Sequence, residues 1–302
     1  MKIIKWVILI LILFIVVCEF ILRYAFGFCD ALLYRESDKY EYIAQPNQNR
    51  HRFGAYIHYN SFSQRNGEPD STKVRVLGLG DSVLFGGTWM DQDSLASTLF
   101  SEETGKQMLN ISAGSWGPDN CAAYLKENGT FGANAMILVC SSHDAYDVMT
   151  HIPVVGIYPN YPDKQYSFAW IELIDRYLMP RIRMLFANKV LLDPDASVVA
   201  SSKTKTVVKK SQVFNPGFSE LREIADSLNI PFSIYLHAEK NEIESGRYNE
   251  MGNMIIEWAR QNDVQLIQGL KNGETLDMYK DIIHFNEKGQ RYLADCLELL
   301  LK

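Results

Sequence analysis

Cysteine is scarce and unpatterned in this sequence. The 302 residues hold five, Cys18, Cys29, Cys121, Cys140 and Cys296, and no two stand as C-x-x-C. That excludes a zinc ribbon or a thioredoxin-like redox motif. Cys140 closes an apolar run and Cys296 falls in a helical pattern, so both read as packing residues. Whether Cys121 pairs with another cysteine in an oxidising compartment is left open by spacing alone. A basic excess is lacking too. Thirty Lys and Arg stand against 36 Asp and Glu, for a net charge of −6, which argues against wholesale nucleic-acid binding. The one basic run, KTKTVVKK with Lys203, Lys205, Lys209 and Lys210, reads as a solvated face. There is no internal repeat. The hydrophobic share of 47% and charged share of 22% are those of a globular chain, long enough for one large α/β domain or two small ones.

Small residues are missing where a signal peptidase would need them. Lys2, Lys5 and the terminal amine precede the run Trp6–Leu22, which is apolar but for Glu19 and spans about 25 Å as a helix. The large residues Phe20, Ile21, Leu22, Arg23 and Tyr24 follow instead of an A-x-A-like site. This predicts an uncleaved signal anchor, with the positive end in the cytoplasm and the bulk of the chain outside. Val17, not a small residue, precedes Cys18, so Cys18 reads as a membrane-buried thiol and not as a lipidation site. The chain divides into a cytoplasmic tip and transmembrane helix (1–24), an irregular juxtamembrane stretch (25–72) and a domain (73–302).

Within that domain, short apolar runs alternate with helical patterns. Strands are expected at 74–80, 107–112, 135–142, 231–237 and 264–268; helices at 93–105, 119–129, 217–229, 249–263 and from an Asn286 cap onward. Apolar strands each separated by a helix predict a five-stranded parallel, doubly wound (flavodoxin-like) sheet with helices on both faces. In such sheets the site forms outside the carboxyl ends of the strands. The residues to read are therefore Asp81 and Ser82, then Ser112 to Gly114, then His143 and Asp144, then His237, and the segment after the fifth strand. An insertion at about 145–216 is too long for an ordinary connection and is expected to form a helical cap that shapes a groove or docks on the membrane. Its Arg176, Arg181 and Arg183 suit either a solvated helix face or an anionic polymer.

GLGDSVLFGG breaks the first strand and presents Ser82. A serine becomes a nucleophile only when a base takes its proton, usually a histidine oriented by a carboxylate. DIIHFNEKG places Asp281 three residues before His284, a spacing that puts both side chains on one side of a turn. Taken singly, Ser82 equally suits a helix cap, and His284 the turn before the last helix. His237 reads as lining the cleft, and His51 and His58 as surface residues. A metal set of His143, Asp144, Asp147 and His151 lacks a closed ligand pattern. Asn110-Ile111-Ser112 and Asn128-Gly129-Thr130 match a glycosylation pattern as easily by chance as by design.

In order along the chain, GDS (Gly80–Ser82), NISAGSWG (Asn110–Gly117), SSHD (Ser141–Asp144) and D-x-x-H (Asp281, His284) resemble the four blocks of the GDSL, or SGNH, hydrolase superfamily. YNSFSQRNGEP (Tyr59–Pro69) is similar to the lead-in of its membrane-anchored bacterial members. The resemblance covers roughly 59–302 apart from the insertion, and the α/β-hydrolase elbow G-x-S-x-G is not met. It implies a serine esterase in which Ser82 attacks, His284 is the base and Asp281 orients it. The N–H groups of Ser82 and Gly114 form the oxyanion hole. Its third donor is usually an asparagine, where this chain has His143. Ser141 likewise stands where a glycine is usual. Asp81 and Asp144 are expected in support, with Asp144 holding His143.

The resemblance together with the anchor implies O-acyl, chiefly acetyl, esters of an extracellular or cell-surface glycan as substrate, with no cofactor, no metal and no nucleic acid. Lipid esters stay open. Transfer of the acyl group to a sugar hydroxyl, or a non-catalytic glycan-binding or scaffold role, is the alternative.

Overall fold

The computed structural model describes residues 2–182 and 213–301. Arg183 and the Lys203–Lys210 run lie outside the described residues. A first helix, α1 (Lys2–Phe26), leads into two antiparallel hairpins, β1 (Tyr34–Ser37) with β2 (Glu41–Ala44), and β3 (Gln48–Arg52) with β4 (Ala55–Tyr59). The main sheet follows: β5 (Arg75–Gly80), β6 (Gln107–Ser112), β7 (Ala135–Ser141), β8 (Phe232–His237) and β9 (Gln265–Gln268). All of its pairs are parallel, in the order β6-β5-β7-β8-β9. Counted within the sheet this is 2-1-3-4-5, the doubly wound order with its switch point between β5 and β7.

Side-chain alternation along each strand feeds two cores. On β7, Met136, Leu138 and Cys140 face one side, while Ile137 and Val139 face the other. The first face is covered by α4 (Pro118–Asn128), α6 (Gly217–Leu228) and α8 (Glu250–Gln261), through Ala122, Leu125, Phe218, Leu221, Ile255 and Ala259. The second is covered by α3 (Ala96–Thr104) and α10 (Glu287–Leu299), through Leu99, Phe100, Leu293 and Leu297. Short helices α2 (Ser82–Phe85), α5 (Ala169–Glu172), α7 (Lys240–Ser245) and α9 (Gly269–Asn272) complete the set used below. All five cysteines are free thiols, and Cys121, Cys140 and Cys296 are buried.

The stretch 25–72 is not irregular. Its hairpins send Tyr42, Ile43, Ile57 and Tyr59 into the first core, and the Trp116 indole donates to the Tyr42 carbonyl at 2.8 Å. Polar residues such as Gln48, Asn49 and Arg50 on β3 hide the strand pattern from the sequence. The insertion is less helical than expected. Only Ala169–Glu172, a wide π turn at Leu173–Leu178 and a short helical continuation to 182 are regular among its described residues. Its buried Glu172 accepts from the Cys29 N–H at 2.6 Å and pairs with Arg52 and Arg176. Arg176 also donates to the Pro159 carbonyl at 2.5 Å. It is thus engaged within the fold, neither solvated nor offered to a polymer. Asn110 is fully buried on β6, which rules out glycosylation there.

The lead-in to β5 carries a fully buried Arg65. Its guanidinium donates to the carbonyls of Phe85, Gly87 (2.6 Å) and Met90 (2.7 Å). Burial pushes its pKa down. Replacing it with methionine strands three buried carbonyls, so Arg65→Met should cost about 3–5 kcal/mol. Urea unfolding of the full chain in detergent tests this; an unshifted midpoint would contradict it.

Candidate active site

Ser82 opens α2 directly after β5, at the carboxyl edge beside the switch point. Gly80 is required one step earlier: a Cβ there would stand 2.7 Å from the Val139 carbonyl of the neighbouring strand. Asp81, not Ser82, caps α2, its carboxylate accepting from the Val83 N–H at 2.8 Å. The capping role therefore falls to the buried aspartate, and the half-buried serine is one position on. Gly86 and Gly87 follow with positive φ, and a Cβ on Gly87 would meet the Trp89 ring at 2.3 Å.

Trp89 ties this loop to the C-terminal turn. Its ring meets His284 edge-on, with centroids 5.2 Å apart, and Lys280 Nζ sits 4.0 Å over its face. His284 Nδ1 lies 2.8 and 3.0 Å from the two oxygens of Asp281. The same carboxylate accepts the backbone N–H of His284 at 2.8 Å and of Ile283 at 3.0 Å. Partial burial pushes the Asp281 carboxyl up, but these N–H donors and the imidazole outweigh it and hold it below the ordinary range. With Nδ1 donating to a carboxylate, the neutral ring keeps Nε2 as an acceptor. His284 is not a cap: Asn286 caps α10 by accepting the Gly289 N–H at 3.1 Å. A groove of about 400 Å³ opens beside this turn, lined by Trp89, Met90, Lys280, Asn286, Glu287 and Lys288.

His237 does not line the cleft. It is fully buried beneath the turn, where Nε2 donates to the Ile283 carbonyl at 2.7 Å and Nδ1 to Glu274 at 2.9 Å. Glu274 also accepts from the Tyr235 hydroxyl at 2.5 Å and the Ala238 N–H at 2.9 Å. Burial lowers the His237 pKa, yet the Glu274 carboxylate more than reverses this. The imidazolium so held props the residue next to His284 from behind.

After β6, Gly114 is half-buried in the Ala113–Trp116 turn, and its carbonyl accepts the Tyr42 hydroxyl at 2.7 Å. A Cβ there would come only within 3.7 Å of Tyr161 Oη, so ordinary contact does not demand a glycine. After β7, His143 enters a short 3₁₀ turn (Ser142–Ala145). Its Nδ1 donates to Glu239 Oε1 at 3.1 Å, and its Nε2 lies 3.9 Å from Asp81 Oδ2. Asp144 is buried, with one oxygen accepting the Ser141 N–H at 2.7 Å and the other without a hydrogen-bond partner.

The electrostatics favour the protonated form of His143. Burial pushes its pKa down, but Asp144, Glu239 and Asp81 raise it to about 10. About a third of the side chain meets water, which screens part of that attraction. Burial drives Asp144 well above the usual carboxylate range, whereas hydrogen bonding to His143 holds Glu239 below it. The bonded His143–Glu239 ion pair is thus the firmer element. Glu239, two residues beyond β8, escaped the sequence reading, which stopped at His237; its only signal is its position at the carboxyl edge.

Asp81, His143 and Asp144 bring one ligand atom each within 4.8 Å of one another, the one such set among the described residues. It is not the set read from the sequence, since His151 is exposed and its backbone binds Glu41. A metal at this set would bind a deprotonated imidazole nitrogen and so compete with the proton that the surrounding carboxylates favour.

The chain is similar to several solved structures. One is a lipolytic protein of the G-D-S-L family from Desulfitobacterium hafniense, at 9% identity over 75% of this chain and 99% of that one, TM-score 0.40. Another is a lipase/acylhydrolase from Enterococcus faecalis, at 10% over 75% and 95%, TM-score 0.42. A third is an acetyl xylan esterase, at 13% over 76% and 100%, TM-score 0.40. No protein-family model and no curated protein matches the chain. Likenesses this distant fix neither activity nor substrate, so the chemistry rests on the residues themselves.

Glu239→Gln removes the bonded anion, and the His143 titration should move down from about 10 toward its ordinary 6.5. The raised pKa contributes folding stability fully present below pH 6.5 and lost as pH rises through about 10. Imidazole NMR of wild type and variant across pH checks this; identical titration curves would refute the ion pair.

Proposed function

We propose that this chain is a serine ester hydrolase of the GDSL/SGNH type, with Ser82, His284 and Asp281 as its triad. The observation that carries the proposal is the His284 imidazole, gripped through Nδ1 by both Asp281 oxygens. It sits at the carboxyl edge of the sheet, against Trp89 of the loop that follows Ser82.

In this reading Ser82 Oγ attacks the ester carbonyl while His284 Nε2 takes its proton. Asp281 stabilises the imidazolium that results. The carbonyl oxygen becomes an oxyanion that accepts from the N–H groups of Ser82 and Gly114 and from His143. His284 then protonates the leaving alcohol, and water repeats the attack on the acyl-serine. His143 departs from an amide donor in carrying charge. An imidazolium offers a stronger hydrogen bond to an oxyanion than a neutral amide does. Its Glu239 partner turns the ring and prevents it from competing with His284 as a base. Asp81 and Asp144 support it from the strand ends.

Among the described residues one helix, Ile3–Phe26, is long and apolar enough to cross a membrane, with mean hydropathy 2.8 over its most apolar window and none of that window buried. We place it as a signal anchor, with the domain on the extracytoplasmic side. An enzyme so placed suits an O-acyl, chiefly O-acetyl, ester of a cell-surface or extracellular glycan. Transfer of the same acyl group to a sugar hydroxyl would use the same residues.

Ser82→Ala should abolish hydrolysis of a short aryl acetate by the full chain in detergent, with the circular-dichroism spectrum unchanged. Unchanged turnover would sink the assignment. His143→Ala should lower kcat by about 100- to 1,000-fold, the usual effect of losing one oxyanion donor, while His143→Asn should keep most of the activity. In wild type the rate should fall as pH rises through about 10, and this alkaline limb should vanish in His143→Asn.

A further inference from the structure

We propose that the segment Phe168–Leu178 lies in the outer leaflet of the membrane that α1 crosses, as an interfacial helix covered by lipid. The proposal rests on reading α1 as a membrane anchor.

Hydrogen bonds fix the height of the segment. The Trp170 indole N–H donates to the Ile15 carbonyl at 3.0 Å. The backbone N–H groups of Ala169 and Trp170 donate to the Glu19 carboxylate at 2.9 and 3.2 Å. Arg23 pairs with Glu19 at 2.6 Å and also donates to the Ser167 carbonyl at 2.6 Å. Along a helix, Ile15 stands about 15 Å and Glu19 about 21 Å beyond Lys5, the last basic residue before the apolar run. The hydrocarbon core is about 30 Å thick. With Lys5 at the cytoplasmic boundary, the Ile15 contact falls at the middle of the core and the Glu19 contact in its outer half. Whatever bonds to α1 there shares that depth.

The side chains of the segment agree. Phe168, Ile171, Ile174 and Leu178 recur at helical spacing and are 57, 51, 45 and 48% exposed, so about half of each is left open by the described residues. The other side of the same segment is ionic and docked, with Glu172 buried against Arg52 and Arg176. Asp175, also exposed, accepts from the Tyr166 hydroxyl at 2.6 Å, as suits the headgroup rim. An apolar face opposed to a charged one is the pattern of a helix lying in a membrane interface.

Glu19 then has a physical reason. A carboxylate this deep is costly unless paired. Here Arg23 and the first N–H groups of α5 neutralise it, so the charge serves as the joint between anchor and domain. Among the described residues the insertion also reaches the candidate site, for the Tyr161 hydroxyl lies 3.4 Å from the Gly114 carbonyl.

The test is site-specific photocrosslinking of the full chain in phosphatidylcholine–phosphatidylglycerol vesicles. Benzoylphenylalanine is placed singly at Leu9 in α1, at Ile171, Ile174 or Leu178, and at the exposed Arg260 on α8. Lipid adducts at Ile174 and Leu178 comparable to those at Leu9, with background at Arg260, are expected. Adducts at Leu9 but none at the three insertion positions would overturn the proposal and leave the anchor standing. Absence of adducts at Leu9 would overturn the anchor, and the proposal with it. Protein adducts from Ile171, Ile174 or Leu178 would show that a polypeptide, not lipid, covers the face.

Discussion

The segment from Phe85, the last residue of α2, to Met90 has no regular structure beyond that residue, yet it fixes both the end of α2 and the ring that meets His284. What holds it is the buried Arg65, whose guanidinium gathers three of its carbonyls. The backbone on either side of Arg65 is anchored in turn, for its N–H donates to the Asn110 carbonyl at 3.0 Å and its carbonyl accepts from Gln92 at 3.1 Å. A planar fork of donors suits converging carbonyls as a lysine ammonium would not. From that clamp the geometry runs outward: Gly87 lets Trp89 fold back, and Trp89 touches His284. Gln290 on α10 adds a second tie, donating to the Val83 carbonyl at 2.9 Å and accepting the Ala96 N–H at 2.9 Å. The nucleophile candidate and the base candidate, some two hundred residues apart in sequence, are thus coupled through buried polar contacts instead of loops alone.

Two histidine–carboxylate pairs meet the carboxyl edge, and their environments push them toward different work. His284 is bonded through Nδ1 to a partly exposed aspartate. His143 sits among Asp81, Asp144 and Glu239 and carries a proton. The two imidazoles thus differ in their carboxylate partners, as the different roles proposed for them require. A third pair, His237–Glu274, is shut away from water and acts on position alone, through the Ile283 carbonyl. Burying an ion pair is costly unless its remaining donors and acceptors are met; here Tyr235, Ala238 and Ile283 meet them.

Most of the sheet was legible because its strands are apolar and its helices amphipathic. β6 matches its expected bounds, and the other sheet strands and main helices differ by one to three residues at an end. The carboxyl-edge rule points to Asp81, Ser82, Ser112 to Gly114, His143, Asp144 and His237. What stayed hidden depends on long-range partners. The hairpins at 34–59 read as irregular because their faces are shared between core and polar contacts, not alternated cleanly. Arg65 and Glu239 look like surface charges until the fold supplies three carbonyls for one and an imidazole for the other. His237 was placed on the cleft because it ends a strand, but only tertiary packing shows that Phe285 and Tyr279 close over it.

The same reasoning links the two ends of the molecule. A carboxylate in an otherwise apolar helix is a conflict between local composition and environment, and such conflicts usually mark function. Glu19 resolves its conflict by binding the first turn of α5. The insertion that α5 belongs to is fastened in turn to residues 27–53 by Glu172, Arg52 and the Cys29 N–H. Beyond them the hairpin residue Tyr42 reaches the Gly114 carbonyl. The Arg52–Glu172 pair is buried and the other contacts are partly buried, and together they resist bending. The chain of contacts therefore sets the orientation of the carboxyl edge relative to α1, without relying on a flexible stalk. A domain on a loose tether turns freely, whereas one braced in this way holds its carboxyl edge at a fixed tilt to α1.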